Sequence, residues 1–90
     1  MISWIIIGRN WSLNLAQLFE TINSQTAKKE KYEIIFVDDF SIDGSITYLE
    51  EYSNKNRYKI VKQPIRLGRS AARNRGIENA IGKWCIFTNS

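Results

Sequence analysis

Apolar and polar segments alternate along the chain in a pattern that predicts four strands and three helices. Four runs rich in β-branched and aromatic residues have the length of strands that are covered on both faces, and they occupy residues 2–7, 32–37, 58–61 and 83–89. Gly8, the pair Asp38-Asp39 and the pair Gln63-Pro64 end the first three of these runs, because such residues are disfavoured inside a strand.

The segments between the strands have helical spacing. The first helix is indicated by apolar residues three or four positions apart behind a candidate cap at Asn10 or Ser12, namely Leu15, Leu18, Phe19 and Ile22. A second helix is predicted over residues 45–52 and a third over residues 70–81. Gly82 is the expected stop of the third helix. Gly76 inside it predicts close approach to a neighbour, because glycine costs about 1 kcal/mol relative to alanine in a helix.

Strands that alternate with helices predict right-handed crossovers and a parallel sheet. We therefore expect one domain over residues 1–90, a three-layer α/β/α fold with a Rossmann-like, mostly parallel sheet in the order 3-2-1-4. In this order the strand ends at residues 8–10, 38–39 and 89–90 converge on one crevice, where ligands of open α/β sheets bind.

Composition narrows the class of protein. The chain has 43% hydrophobic and 24% charged residues, as expected of a globular domain, and its net charge of +4 favours an anionic partner. Cys85 is the one cysteine and is predicted to be a buried, inert thiol, which indicates an intracellular protein. Trp4, Trp84 and Phe87 are predicted core residues, whereas Trp11 lies between core and crevice. No apolar run reaches the roughly 20 residues of a membrane span, and we expect a cytoplasmic location, including the cytoplasmic face of the membrane.

The stretch at residues 38–45, DDFSIDGS, places three carboxylates in one loop at a strand end. One interpretation is a capped turn. A second is a carboxylate that accepts hydrogen bonds from a ligand, as acidic residues after a second strand do in dinucleotide folds. A third is chelation of a metal ion. The loop alone does not choose among them.

Four segments together resemble the family 2 glycosyltransferases of the GT-A fold. VDDFSIDGS at residues 37–45 is similar to the family's VDDGSTDGS box, and IIIGRN at residues 5–10 is similar to its IIPTYN strand exit. GRSAARNRG at residues 68–76 is similar to GxSAARNxG, and GKWCIFTNS at residues 82–90 matches the approach to FLDSDD. The four segments span the whole chain in the family's order.

The resemblance implies the nucleotide-binding half of an enzyme that transfers a sugar from a nucleotide diphosphate sugar, in the first place a UDP-sugar, with inversion. It implies that Asp39 pairs with the base while Asp38 supports the loop. The backbone at Gly8 and Arg9 borders the base, and Arg73 lies near the base or diphosphate. The acceptor is not indicated. Arg66, Arg69 and Arg75 are predicted to lie on a solvated surface.

The resemblance also implies a divalent metal, Mg²⁺ or Mn²⁺, whose key ligand this chain lacks. Asn89 stands at the first acidic position of the metal box, and the decisive aspartate would follow Ser90. Catalytic base and acceptor site belong to the family's second half. We therefore expect the 90 residues to bind nucleotide without transferring sugar. The last strand is expected to present an apolar edge through which the chain forms a homodimer.

Other classes of protein fit less well. A phosphorelay receiver would carry its acidic pair after the first strand, and a dinucleotide-binding domain would carry G-x-G-x-x-G there; a P-loop is also missing. The alternative that remains is a non-enzymatic basic α/β domain that binds nucleic acid or another anionic partner through the arginines between Arg66 and Arg75.

Overall fold

The computed structural model describes residues 1–11, 15–25 and 32–89, and within them the predicted architecture is confirmed. The strands are β1 (Ile2–Gly8), β2 (Tyr32–Asp38), β3 (Lys59–Lys62) and β4 (Trp84–Asn89), and the helices are α1 (Leu15–Gln25), α2 (Ser45–Asn56) and α3 (Arg69–Asn79). The strands form one parallel sheet in the order β3-β2-β1-β4. No helix of the described residues is long and apolar enough to cross a membrane.

The two central strands are apolar on both faces because each face carries its own core. On one face, β1 and β2 pack against α1 and α2 in a cluster of Trp4, Ile6, Trp11, Leu15, Ile22, Ile34, Phe36 and Leu49. On the other face, β1, β2 and β3 pack against α3 in a cluster of Ile5, Ile7, Ile35, Val37, Val61 and Ala72. Successive residues of a strand point to opposite faces, so an unbroken apolar run serves both clusters.

Gly76 confirms the close approach predicted for α3, since a Cβ atom placed there would lie 2.5 Å from Ile5 Cγ2. The prediction that Gly82 ends the third helix is wrong. The third helix ends at Asn79, and Ala80 is already extended. Gly82 instead lies against Ser3, where its N–H donates a hydrogen bond of 2.9 Å to Ser3 Oγ. A contact between backbone segments, rather than a helix stop, requires glycine there.

β4 departs from the predicted core. Trp4 is buried as expected, but Trp84 is 67% exposed and Cys85 is exposed, so the predictions of a buried indole and a buried thiol are wrong. Phe87 is half-buried against the α3-side cluster. The reason is position in the sheet: β4 pairs with β1 on one side only, and α1 and α2 lie over the central strands. An apolar strand sequence does not distinguish an edge from a centre.

The start of the first helix also differs from expectation. Asn10 does not cap α1, which begins at Leu15, and Asn10 has a left-handed backbone with φ of 53°. The candidate cap at Ser12 lies outside the described residues.

Candidate functional site

A cleft of about 170 Å³ opens at the carboxyl ends of the strands, where the 3-2-1-4 order predicts a crevice. Its wall combines the end of β1, the residue after β2 and the loop between β3 and α3. The lining residues are Ile7, Gly8, Arg9, Asp39, Arg66, Gly68 and Arg69. Three of the predicted site residues, Gly8, Arg9 and Asp39, are therefore brought together.

Asp38 lies behind the cleft and joins the loops after β1 and β2. Its side chain is buried, and Oδ1 accepts a hydrogen bond of 2.7 Å from Trp11 Nε1. Ser41 donates to both oxygens, with its hydroxyl to Oδ1 and with its backbone N–H to Oδ2. The carboxylate is thus used by the protein itself, which agrees with a role in supporting the loop.

Further hydrogen bonds link the same two loops. Asn10 N–H donates to Ser41 Oγ at 2.8 Å, Ile42 N–H donates to Asn10 Oδ1 at 2.9 Å, and Arg9 Nε donates to Phe40 O at 3.2 Å. Asn10 and Phe40 both have positive φ, 53° and 65°, which is unfavourable for residues other than glycine. The cross-links hold this strained backbone in place and so fix the rim beside Arg9.

Asp43 and Ser45 complete a capped turn. Ser45 N–H donates to Asp43 Oδ1 at 3.0 Å, and the buried Ser45 hydroxyl accepts a hydrogen bond of 3.0 Å from Trp11 N–H. The capped-turn interpretation of the acidic loop therefore describes Asp38 and Asp43. Asp39 is the one carboxylate of the three that lines the cleft.

Trp11 belongs to the core. It is 2% exposed, and its ring packs under Gly8 so closely that a Cβ atom at Gly8 would lie 2.7 Å from the indole. Phe36 meets the Trp11 ring edge-on at a centroid distance of 6.1 Å. Glycine at position 8 thus makes room for the indole and leaves the cleft bordered there by backbone.

Asp39 is held by three donors from the segment after β3. Oδ1 accepts from Gln63 Nε2 at 2.8 Å and from Leu67 N–H at 3.0 Å, and Oδ2 accepts from Gly68 N–H at 3.3 Å. Asp39 N–H in turn donates to Gly8 O at 2.9 Å. These hydrogen bonds give the carboxylate a fixed orientation at the cleft wall. Asp39 as a whole is 7% exposed.

The cleft is electropositive. Three of the residues that line it, Arg9, Arg66 and Arg69, are arginines, whereas Asp39 is the single acidic residue of the lining. Arg66 and Arg69 are exposed, as predicted, but they border the site rather than an unrelated surface. Sequence reasoning missed them, although their place in the loop after β3, beside the predicted crevice, was a usable signal.

Arg73 is not part of the cleft lining. Its guanidinium carbon lies 4.5 Å from the centroid of the Phe87 ring, in a cation–π contact between α3 and β4. Gln63 is a further residue that sequence reasoning missed, because it was interpreted only as the residue that ends the third strand. No hydropathy pattern indicates that a glutamine will donate to a particular carboxylate.

The described residues contain no group of three or more His, Cys, Asp or Glu side chains that could hold a metal ion. The Asp38 carboxylate accepts its hydrogen bonds from Trp11 and Ser41.

Comparison with known proteins identifies the family. The family model described as glycosyl transferase family 2 matches residues 3–90. The chain belongs to this family. As a family 2 member it shares 34% identity over 86 residues with the cholesterol galactosyltransferase of Borreliella burgdorferi, covering 96% of this chain and 24% of the relative. It shares 34% over 90 residues with the putative glycosyltransferase EpsH of Bacillus subtilis, covering 99% of this chain and 25% of the relative. The family 2 chain thus spans about a quarter of the length of these relatives.

Solved structures of other glycosyltransferases have the same fold as this chain. The complex of Staphylococcus aureus TarS 1–349 with UDP superposes with a TM-score of 0.86 at 27% identity, covering 99% of this chain and 27% of TarS 1–349. The mannosyltransferase PcManGT of Pyrobaculum calidifontis, solved with GDP-Man and Mn²⁺, has a TM-score of 0.88 at 21% identity, covering 98% of this chain and 26% of its own. The predicted GT-A-like, Rossmann-like sheet is confirmed.

Proposed function

We propose that residues 1–90 are the nucleotide-binding part of a glycosyltransferase that transfers a sugar from a nucleotide diphosphate sugar with inversion. The observation that carries the proposal is the cleft itself, in which one oriented carboxylate, Asp39, faces the same space as three arginines. A nucleotide diphosphate presents N–H donors on its base and negative charge on its phosphates, and the lining complements both.

The base partner is Asp39, and the base is uracil. A carboxylate accepts hydrogen bonds and donates none when ionised, so it complements the ring N–H of uracil. The backbone of Gly8 and Arg9 borders the same space because the Trp11 ring leaves no room for a side chain at Gly8. The fold shared with TarS, which was solved with UDP and with UDP-GlcNAc, supports a uridine nucleotide.

The diphosphate partners are Arg9, Arg66 and Arg69. A guanidinium group matches phosphate oxygens in charge and in planar geometry. Arg73 is a further candidate. To reach a phosphate its side chain would leave Phe87, at a cost of about 0.5–1 kcal/mol for an exposed cation–π contact.

A divalent metal, Mg²⁺ or Mn²⁺, is part of the proposal for the whole enzyme. A bound metal would neutralise charge that develops on the leaving diphosphate. The described residues of this chain contain no group of three or more His, Cys, Asp or Glu side chains that could hold it. We therefore propose that the 90 residues bind the nucleotide without transferring sugar.

The lone, exposed thiol of Cys85 fits a reducing compartment, which supports a location in the cytoplasm or at the cytoplasmic face of the membrane.

A second copy of this chain is a further proposed partner. β4 is an edge strand, and Trp84 and Ile86 on it are 67% and 45% exposed. Antiparallel pairing of two β4 strands about a twofold axis at Ile86 would place Trp84 opposite Thr88 of the other copy, with no like charges facing. Unpaired apolar edges recruit strands in this way.

Calorimetric titration with UDP tests the nucleotide site. The native chain is expected to bind with a dissociation constant on the order of 0.1–1 mM, about −4 to −5.5 kcal/mol. Asp39→Ala is expected to weaken binding by about tenfold or more, since the lost partner is charged. Glu51→Ala removes an exposed carboxylate on α2 and is the matched control.

The circular dichroism of each variant establishes that it is folded before heats are compared. This check matters most for Asp39→Ala, because removal of the carboxylate leaves the N–H groups of Leu67 and Gly68 without their acceptor. Equal binding by a folded Asp39→Ala variant and the native chain would exclude Asp39 from the site. No heat with the native chain at millimolar UDP would overturn the proposed function.

A further inference from the structure

Gln63 stands at the point where β3 meets the cleft. The parallel register pairs Asp38 with Lys62, so the next residues of the two strands, Asp39 and Gln63, leave the sheet side by side. Gln63 N–H donates to Asp38 O at 2.9 Å, which fixes the backbone, and the residue is 2% exposed. Its side chain is thus locked against the carboxylate that lines the cleft.

The orientation of the Gln63 amide is determined by Asp39. An ionised carboxylate only accepts, so the group 2.8 Å from Asp39 Oδ1 must be the Nε2 donor. The amide oxygen is then left buried and without a hydrogen-bond partner among the described residues. A buried acceptor without a partner is unfavourable, and native structures contain few of them. The Gln63 amide oxygen therefore lacks a hydrogen bond, while Gln63 Nε2 keeps its hydrogen bond to Asp39.

The two oxygens of Asp39 are consequently unequal. Oδ1 receives Gln63 Nε2 and Leu67 N–H, which occupy its two lone-pair directions. Among the described residues, Oδ2 receives a hydrogen bond from Gly68 N–H alone, at the longer distance of 3.3 Å. A ligand that meets this carboxylate in the cleft finds one oxygen with accepting capacity left.

We propose that Gln63 is a positioning residue that sets base selectivity by keeping Oδ1 occupied. A carboxylate that offers one oxygen matches uracil, which has one ring N–H between two carbonyl groups. Guanine presents two adjacent donors, a ring N–H and an amino group, and would use both oxygens. Cytosine presents a ring acceptor that a carboxylate repels, so only its neighbouring amino group can donate to the free oxygen. The inference rests on the proposed function, in which Asp39 meets the base.

The test compares the affinities of UDP, GDP and CDP for the native chain and for Gln63→Met, which keeps the length of the side chain and removes the donor. The native chain is expected to prefer UDP. In Gln63→Met, UDP affinity is expected to fall about fivefold, as for loss of one hydrogen bond, while GDP affinity stays or rises. The ratio of UDP to GDP affinity therefore falls about fivefold or more. Gln17→Met, at an exposed position of α1, is the matched control and is expected to change neither affinity.

The outcomes separate this inference from the proposed function. If the native chain binds UDP and loses it in Asp39→Ala, but folded Gln63→Met keeps both the affinity and the UDP:GDP ratio, the role of Gln63 is wrong and the nucleotide site stands. A uniform loss for UDP and GDP alike would also overturn selectivity by Gln63, since a merely structural role lowers both.

A second measurement applies to the native chain in case Gln63→Met does not fold. In ¹⁵N-resolved NMR spectra, the Gln63 side-chain amide signals are expected to shift as UDP is added, because the shared Oδ1 of Asp39 changes its electron distribution when Oδ2 accepts a new donor. Signals of Gln17 are expected to stay constant. Gln63 amide signals that do not move at saturating UDP would contradict the proposal.

Discussion

The indole of Trp11 donates a hydrogen bond of 2.7 Å to Asp38 Oδ1, and this pair fastens the loop after β1 to the loop after β2. Both residues are buried, and the same Trp11 ring fills the space beneath Gly8. One contact therefore supports the acidic loop, sets the depth of the cleft beside Gly8 and holds the Asp38 side chain behind the cleft lining.

Trp11→Phe is expected to lower the free energy of unfolding by about 1–3 kcal/mol, because it leaves the buried Asp38 carboxylate with one donor residue fewer. Urea unfolding followed by circular dichroism measures the change. Tyr48→Phe is the control: that side chain is 62% exposed, and its replacement is expected to alter stability by no more than about 0.5 kcal/mol. Equal losses in the two variants would contradict the role assigned to the Trp11–Asp38 bond.

Glu33 connects β2 to the start of β4 at the opposite end of the sheet from the cleft. Its carboxylate pairs with Lys59 and accepts hydrogen bonds of 2.7 Å from Ser3 Oγ and 2.9 Å from Ile81 N–H. Burial raises the pKa of the Glu33 carboxyl, but these hydrogen bonds and the charge of Lys59 together outweigh burial, so its pKa lies below the usual value.

A lowered pKa in the folded state stabilises the protein above the unfolded pKa of glutamate, about 4.3, and the contribution is lost as pH falls from there through the folded value. Glu33→Gln is expected to be less stable at pH 7 by about 1–2 kcal/mol. As pH falls below about 4.3, its melting temperature should also decrease less steeply than that of the native chain. Glu51→Gln, on an exposed face, serves for comparison. Parallel pH profiles for Glu33→Gln and the native chain would refute the assignment.

Arg66 and Arg69 are expected to act on the phosphates rather than on the base. Arg66→Gln and Arg69→Gln should each weaken UDP binding by up to about fivefold, the range for one exposed charge pair, and leave uridine binding unchanged. Arg57→Gln, at the end of α2 and outside the cleft lining, should affect neither ligand. The measurement is a calorimetric series with uridine, UMP and UDP; a loss that is the same for uridine and UDP would place the arginines elsewhere.

Self-association through β4 is expected to depend on Ile86. Light scattering across a concentration series should give a mass that rises above the monomer's 10.5 kDa toward twice that value. Ile86→Lys should keep the chain monomeric, since a lysine on an edge strand blocks pairing. Ile42→Lys changes another exposed isoleucine, in the loop after β2, and should leave the mass unchanged. A constant monomer mass at high micromolar concentration would disprove the β4 interface.

The sequence alone predicted which segments form the elements and in what order they lie in the sheet. Unbroken runs such as residues 32–37 indicate strands covered on both faces, and strands that alternate with helices restrict the crossovers to one hand. The strand order then placed Gly8, Arg9 and Asp39 at one edge, which the structure bears out. These properties are local or topological, so a linear pattern contains them.

Tertiary structure alone decided which of the polar residues face the cleft and which strand lies uncovered. Asp38 and Asp39 are neighbours in sequence, yet one bonds to Trp11 and the other to Gln63, and only the second lines the cleft. Trp4 and Trp84 both occupy apolar strands, yet the first is buried and the second is exposed. The physical reason is the same in both cases. The environment of a side chain is set by segments that are distant in sequence, and the residues next to it along the chain do not indicate which of those segments will pack against it.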